Sequence, residues 1–183
     1  MIKGQNYKCL SCEEDLRKLE TQRVHVDHDH VTGRIRGILC YKCNISLGLL
    51  NENVKLINKL AIYVKKYCNK INKFKNIEKY EKKQKGIKDI YLYTYGITKG
   101  QKNYIILLQK NKCRSCGIDF ELINPKNVHI DHDHKSGNIR GVLCRNCNFS
   151  LGFLDENYNK ILKLAKYAIK FCKNKAVIEA DKR

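Results

Sequence analysis

No stretch of this 183-residue chain is long and apolar enough to span a membrane, and no N-terminal apolar segment reads as a secretory signal. These absences point to a soluble, cytoplasmic protein that is not secreted. Acidic residues are scarce as well. Only 18 Asp and Glu face 37 Lys and Arg, a formal charge of +19. Such an excess predicts a polyanionic partner, nucleic acid first; the bland reading is solubility with a coding bias towards Lys, Asn and Ile. Ten cysteines in so small a chain suggest a disulfide scaffold, but eight of them fall in four C-x-x-C pairs. That pattern belongs to metal binding in a reducing compartment.

The sequence states one unit twice. CLSC at 9–12, HVDHDH at 25–30 and CYKCN at 40–44 return as CRSC at 113–116, HIDHDH at 129–134 and CRNCN at 144–148. The offset is 104 residues throughout, and 20 of the 30 positions in 24–53 are identical in 128–157. Two domains follow, at 1–68 and 95–183, joined by a basic, partly helical linker at 69–94. Each repeat is too small to bury much apolar surface alone, and structural zinc can supply the missing folding energy.

Positive charge is densest between the repeats. Segment 69–112 carries 12 basic and 3 acidic residues. Its stretch 72–86 reads equally as a solvated linker helix or as an arm that tracks DNA. Residues 99–110 predict a short helix ahead of the second unit. Under the repeat offset Met1 matches Ile105, so the first unit is expected to begin partway through that helix and to be the less well supported.

Within each unit the expected order is zinc knuckle, β-hairpin, zinc knuckle, helix. The hairpin turns at Thr32-Gly33 and Ser136-Gly137. The closing helix is amphipathic in both copies, with Leu50, Val54, Ile57, Ala61, Val64 and Cys68 on one stripe and Leu154, Tyr158, Ile161, Ala165, Ala168 and Cys172 on the other. The fifth cysteine of each copy is thereby read as a small buried hydrophobe.

Cys9, Cys12, Cys40 and Cys43 form one ligand set; Cys113, Cys116, Cys144 and Cys147 form the other. Four sulfurs close a tetrahedral zinc and leave no open position, so these metals are structural. If each site holds four thiolates and one divalent zinc, the functional charge falls to about +15. The Asp-His-Asp-His run carries different chemistry. Cleaving a phosphodiester needs an activated water and neutralisation of charge on the phosphate and the leaving oxygen. Magnesium prefers oxygen ligands and keeps several waters, so Asp27 and Asn44 can hold it while His28 acts as general base. A regular strand points Asp27 and His28 to opposite faces. The arrangement therefore requires a bend or bulge near the strand end, next to the turn.

These motifs, C-x-x-C, H-x-DHDH-x-[T/S]-G-x-IRG-x-LC-x-x-CN-x-x-LG, resemble the phage recombination endonuclease VII family, within the HNH or His-Me finger (ββα-metal) nucleases. The resemblance covers about 9–68 and 113–172, and the 95–113 stretch is similar to the segment ahead of the family's first cysteine. It implies an α+β fold of two tandem zinc-stabilised ββα-metal units and a metal-dependent DNA endonuclease of the host cytoplasm. It implies Asp27, Asn44, Asp131 and Asn148 as magnesium or manganese ligands and His28 and His132 as general bases. His30 and His134 become phosphate-side or supporting groups; His25 and His129 are either outer supports or hairpin packing. The sequence departs from the family's pattern at Leu47 and Leu151, where a glutamate is usual, which fits simple phage HNH-type nucleases better than a strict four-way-junction resolvase. Arg36 and Arg140 are candidates for phosphate contact or, equally, plain surface strand residues. Two sites in one chain suggest an internal pseudo-dimer acting on duplex or branched DNA. The alternative is a zinc-stabilised nucleic-acid-binding protein without catalysis. No recognition helix with a base-reading set is visible, so no sequence preference follows.

Overall fold

The computed structural model describes residues 1–68 and 90–172. The 72–86 stretch, read as linker or DNA arm, and most of the segment 69–94 lie outside the described residues. The described part is an α+β structure containing two small antiparallel hairpins.

Each repeat opens with a knuckle. The turn closes by Glu13 N–H donating to the Cys9 carbonyl, and by Gly117 N–H donating to that of Cys113, both at 2.9 Å. The residue after the second cysteine is left-handed in both, Glu13 at φ 67° and Gly117 at φ 83°. A hairpin follows: β1 (Val24–His28) with β2 (Ile35–Cys40), and β3 (Val128–His132) with β4 (Ile139–Cys144). The register runs from Val24 opposite Cys40 to Asp27 opposite Gly37, then shifts between Asp27 and His28. The second hairpin shifts at the matching place, between Asp131 and His132. The bulge that the chemistry required is present in both copies. Gly37, opposite Asp27, has a knuckle side chain against it. A Cβ there would lie 2.6 Å from Leu10 Cδ2, so a larger residue would have to displace the tip of the Leu10 side chain.

The third cysteine ends the second strand and the fourth sits in the first turn of the helix that follows at once, α1 (Tyr41–Leu49) or α5 (Arg145–Phe153). Zinc ligands therefore tie strand end to helix start. After α1, Asn51 and Glu52 are both left-handed, at φ 53° and 55°, a conformation that costs about 1–2 kcal/mol per residue bearing a Cβ. Asn53 then caps α2 (Val54–Tyr63), accepting from Lys55 and Leu56 N–H. The chain ends this helix in a π-turn, Val64–Cys68. The wider winding rotates Cys68 off the buried stripe, and it is only half-buried, unlike Cys172. All ten cysteines are free thiols.

Helices α3 (Ile90–Tyr95) and α4 (Lys99–Leu108) precede the second knuckle. A capping box between Thr98 and Gln101 starts α4, within the span expected at 99–110. In the first repeat the matching place holds a single short turn among the described residues, Lys3–Gln5, which keeps that helix's working end. Gln5 bridges Lys8 and Ile38 by donating to both carbonyls and accepting from Ile38 N–H. Gln109, 104 positions on, bridges Lys112 and Val142 in the same way. The first unit is thus pinned where support was expected to fail.

The compact units do not follow the repeat boundaries. One comprises Met1–Val64 with Phe149–Arg183, the other Lys65–Asn148. In the first, α2 packs on α6 (Tyr158–Phe171). Leu50, Ile57, Leu60 and Ala61 are buried together with Leu154, Ile161, Leu164 and Ala168. The span 95–183 is therefore not one compact body. A hydrophobic stripe specifies a buried face and leaves the partner open; here the two matching stripes bury each other. No described helix is long and apolar enough to cross a membrane.

Candidate active site and metal centres

The eight paired cysteines form two clusters, Cys9, Cys12, Cys40 and Cys43, and Cys113, Cys116, Cys144 and Cys147. In each, the sulfurs lie within 4.8 Å of one another. Cys12 and Cys40 Sγ are 3.7 Å apart, and Cys116 and Cys144 Sγ 3.8 Å. A tetrahedron with Zn–S bonds of about 2.3 Å separates its sulfurs by about 3.8 Å. The donor set and spacing fit zinc in both. Backbone N–H groups of Cys40 and Cys144 donate to the Cys9 and Cys113 sulfurs at 3.3 Å. Hydrogen bonds from the neighbouring thiols and from that N–H hold Cys9 and Cys113 well below the usual thiol range. Hydrogen bonds with the other three sulfurs of each cluster first, and burial next, drive Cys43 and Cys147 upward. Four like-charged sulfurs in one buried place need a cation to coexist.

The first hairpin's far end opens on a cavity of about 350 Å³ lined by Asp27, His28, His30, Asn44, Leu47 and Glu52 among others. The bulge places Asp27 and His28 on its wall together. Helix α1 brings Asn44 there one residue after the last zinc ligand. His28 and His30 are exposed and their rings lie 4.9 Å apart. Asp29, between them, is not among the residues that line the cavity. Its Oδ1 accepts from the N–H of Val31 and Thr32 and from the Thr32 hydroxyl, at 2.9–3.0 Å. These bonds lower its pKa to about 2. Asp29 builds the turn in which Gly33 takes φ 69°.

Arg36 is not where either sequence reading put it. Its side chain is 1% exposed. Nε and Nη2 donate to Asp27 Oδ2 and Oδ1 at 2.8 and 2.9 Å, and Nη1 and Nη2 donate to Glu52 at 2.8 and 2.7 Å. A guanidinium so enclosed offers nothing to a phosphate. Hydrogen bonds to Glu52 first and Asp27 next outweigh the burial and raise its pKa further above the ordinary arginine value. Glu52 is a site residue that motif reading missed. Its second contact is His30, with Nε2 3.7 Å from Oε1. The signal existed: Glu52 and Glu156 are identical at matched positions of the repeats.

Asp27 has one more partner. Tyr167 Oη donates to Oδ2 at 2.6 Å, and the bond is buried. Burial first and the Asp27 carboxylate second push the phenol pKa far up, so Tyr167 is a fixed donor. A carboxylate offers about four lone-pair positions. Two on Oδ2 and one on Oδ1 are taken, which leaves Oδ1 with one acceptor position. The Asp27 carboxylate and the Asn44 side chain supply oxygen donors of the kind magnesium takes, and the cavity has room for its waters.

The second site repeats the plan. Arg140 Nε and Nη2 donate to Asp131 at 2.9 and 2.8 Å, both residues being buried, so Arg140 too is enclosed. The His132 and His134 rings are 4.7 Å apart. Asp133 makes the turn through Ser136 and Lys135. Asn148 is half-buried on α5. This site has an aromatic neighbour: the Tyr95 ring stands edge-on to His132 at 5.3 Å. Lys102, buried on α4, donates to the Val128 carbonyl at the start of β3. Burial, then Lys102 and Arg145, lower the pKa of His129. Its counterpart His25 lies against Tyr41, with ring centroids 5.7 Å apart and Nε2 buried without a hydrogen-bond partner among the described residues. His25 is not on the cavity wall.

The family model of recombination endonuclease VII matches residues 1–66 and 88–171. The chain is similar to the Gene 59 protein of Mycobacterium phage L5, at 33% identity over 91 residues, 48% of this chain and 51% of that protein. It is also similar to the Gene 59 protein of Mycobacterium phage D29, at 35% over 63 residues, 34% of this chain and 37% of that protein. The chain thus spans about half or less of the length of these relatives. No solved structure matches it.

Proposed function

The chain belongs to the recombination endonuclease VII family, and from that premise we propose that it is a divalent-metal-dependent DNA endonuclease with one site in each repeat. The observation that carries the proposal is the open cavity walled together by Asp27, His28 and Asn44. Asp27 and Asn44, and Asp131 and Asn148 in the second repeat, would hold magnesium or manganese. When bound, the ion supplies neutralisation of charge on the phosphate and on the leaving 3′ oxygen.

The chain's own residues do the rest. His28 is exposed to the solvent from which the attacking water comes, and it takes the proton from that water. The His30 imidazole, its ring tilted 60° to that of His28 and its Nε2 3.7 Å from Glu52, stands on the phosphate side as a supporting group. Arg36 bonds both Asp27 and Glu52 and offsets one of their two negative charges. The zinc clusters keep the strand end and the helix start at a fixed separation, which is what brings Asn44 to the Asp27 wall. His132, His134 and Asn148 fill the same roles in the second repeat. The formal charge of +19 draws the chain to the DNA backbone. Two sites in one chain match the two strands of a duplex or of a recombination intermediate, so the chain acts as its own pseudo-dimer.

The test is nicking of supercoiled plasmid, and of branched and plain duplexes, by the pure protein with magnesium and with EDTA. Wild type should nick only with magnesium, and a protein carrying both His28→Ala and His132→Ala should not. Binding to DNA without magnesium-dependent nicking of any of these forms would instead make the chain a zinc-stabilised binding module.

A further inference from the structure

Tyr167 lies in the second repeat by sequence, yet its hydroxyl sits on the carboxylate of the first repeat's site. The bond to Asp27 Oδ2 is 2.6 Å long and buried. Tyr167 is 3% exposed, and Phe171, one helical turn on, packs on its ring at 4.8 Å. The helix that carries it is buried against α2, so the phenol has little freedom to leave.

An unrestrained carboxylate swings between offering one oxygen and offering two. Here the two oxygens are treated differently. Oδ2 is occupied twice, by Arg36 Nε and Tyr167 Oη; Oδ1 is occupied once, by Arg36 Nη2. The group can present one lone pair from one oxygen. Magnesium keeps a near-ideal octahedron and several waters, and it is served best by such a one-point ligand. Groups that hydrogen-bond to a metal ligand set its orientation and its donor strength. We propose that Tyr167 is a positioning residue that fixes Asp27 for the divalent ion, so that the first repeat's site is completed by a side chain of the second repeat. This rests on the reading of Asp27 as an ion ligand.

The test titrates Mn²⁺ by electron paramagnetic resonance in the full chain, in an Asp131→Asn background that removes the second repeat's carboxylate ligand. Tyr167→Phe keeps the ring and the packing. Its half-saturating Mn²⁺ should rise about tenfold, with zinc content and far-UV circular dichroism unchanged. Half-saturation equal to the parent's would overturn the proposal and leave the phenol as a stabilising contact alone. If Tyr167→Phe does not fold, 3,5-difluorotyrosine at 167 replaces it, keeping the ring and strengthening the donor. A shift in half-saturation supports the proposal there, and none overturns it. Asp27→Asn in the same background separates the two claims. Ion binding lost there but untouched at Tyr167 sinks this proposal only, whereas ion binding undiminished in Asp27→Asn sinks the metal reading itself.

Discussion

Arg36 grips Asp27 with two nitrogens, at 2.8 and 2.9 Å, and turns two further N–H groups to Glu52. Removing one partner of a buried pair costs about 3–5 kcal/mol, because the other charge stays behind uncompensated. Arg36→Met should therefore lower the melting temperature sharply and abolish nicking at the first site. The salt dependence of DNA binding by whatever protein remains folded should keep its slope, since no phosphate contact is lost. A stable Arg36→Met protein with a flatter salt slope would return Arg36 to the DNA surface.

Asp29 stands between two candidate catalytic histidines yet serves the turn. Its folded pKa, about 2, lies below the unfolded value. A depressed carboxylate stabilises the hairpin above its unfolded pKa, and that contribution fades as pH falls from about 4 to about 2. The Thr32 amide should lose hydrogen-exchange protection across that window. Asp29→Asn keeps an acceptor oxygen, so it should retain the turn and near-normal nicking at pH 7; Asp29→Ala should fray both.

Much of this site is legible in the sequence. The C-x-x-C spacing announces two metal clusters, and the demand that Asp27 and His28 share a wall calls for the bulge found between them. Arg36 was misread for a physical reason. Strand alternation assumes one wet face, but β2 is buried from Arg36 to Cys40 on both faces, so its period carries no sign of outside. Tyr167 was hidden more deeply. It lies 140 residues from Asp27, and a helical stripe names a face without naming what covers it. Glu52 could have been found, as an acid retained at the same place in both repeats.

Zinc should be countable. Mass spectrometry under native conditions should find two ions per chain, and Cys43→Ser should hold one. Structural zinc supplies about 10–16 kcal/mol of apparent binding free energy in small metal-built units. A strong chelator should therefore melt the near-ultraviolet signal of wild type at a temperature where the zinc-loaded protein is intact. Full retention of that signal after complete zinc removal would make the clusters dispensable.

The two sites should be separable. His28→Ala or His132→Ala alone should turn paired cutting into single nicking, read as loss of linear plasmid with nicked circles retained. Among the described residues the Tyr95 ring lies against His132, one of the two proposed general bases. Tyr95→Ala in the His28→Ala background should thus slow the remaining nicking by about tenfold or more, while the same change beside His132→Ala should have little effect. Equal losses in both backgrounds would mean that Tyr95 supports the fold rather than one base.

Chain order also has a temporal side. Helix α6 supplies both the apolar cover of α2 and the hydroxyl on Asp27, yet it is the last described helix to leave the ribosome. A nascent chain that has emitted the whole first repeat still lacks a closing part of its first compact unit. Maturation of the first site is thereby deferred until the second repeat has been made, and a polypeptide cut short before residue 158 has every residue of the first motif and none of its finish.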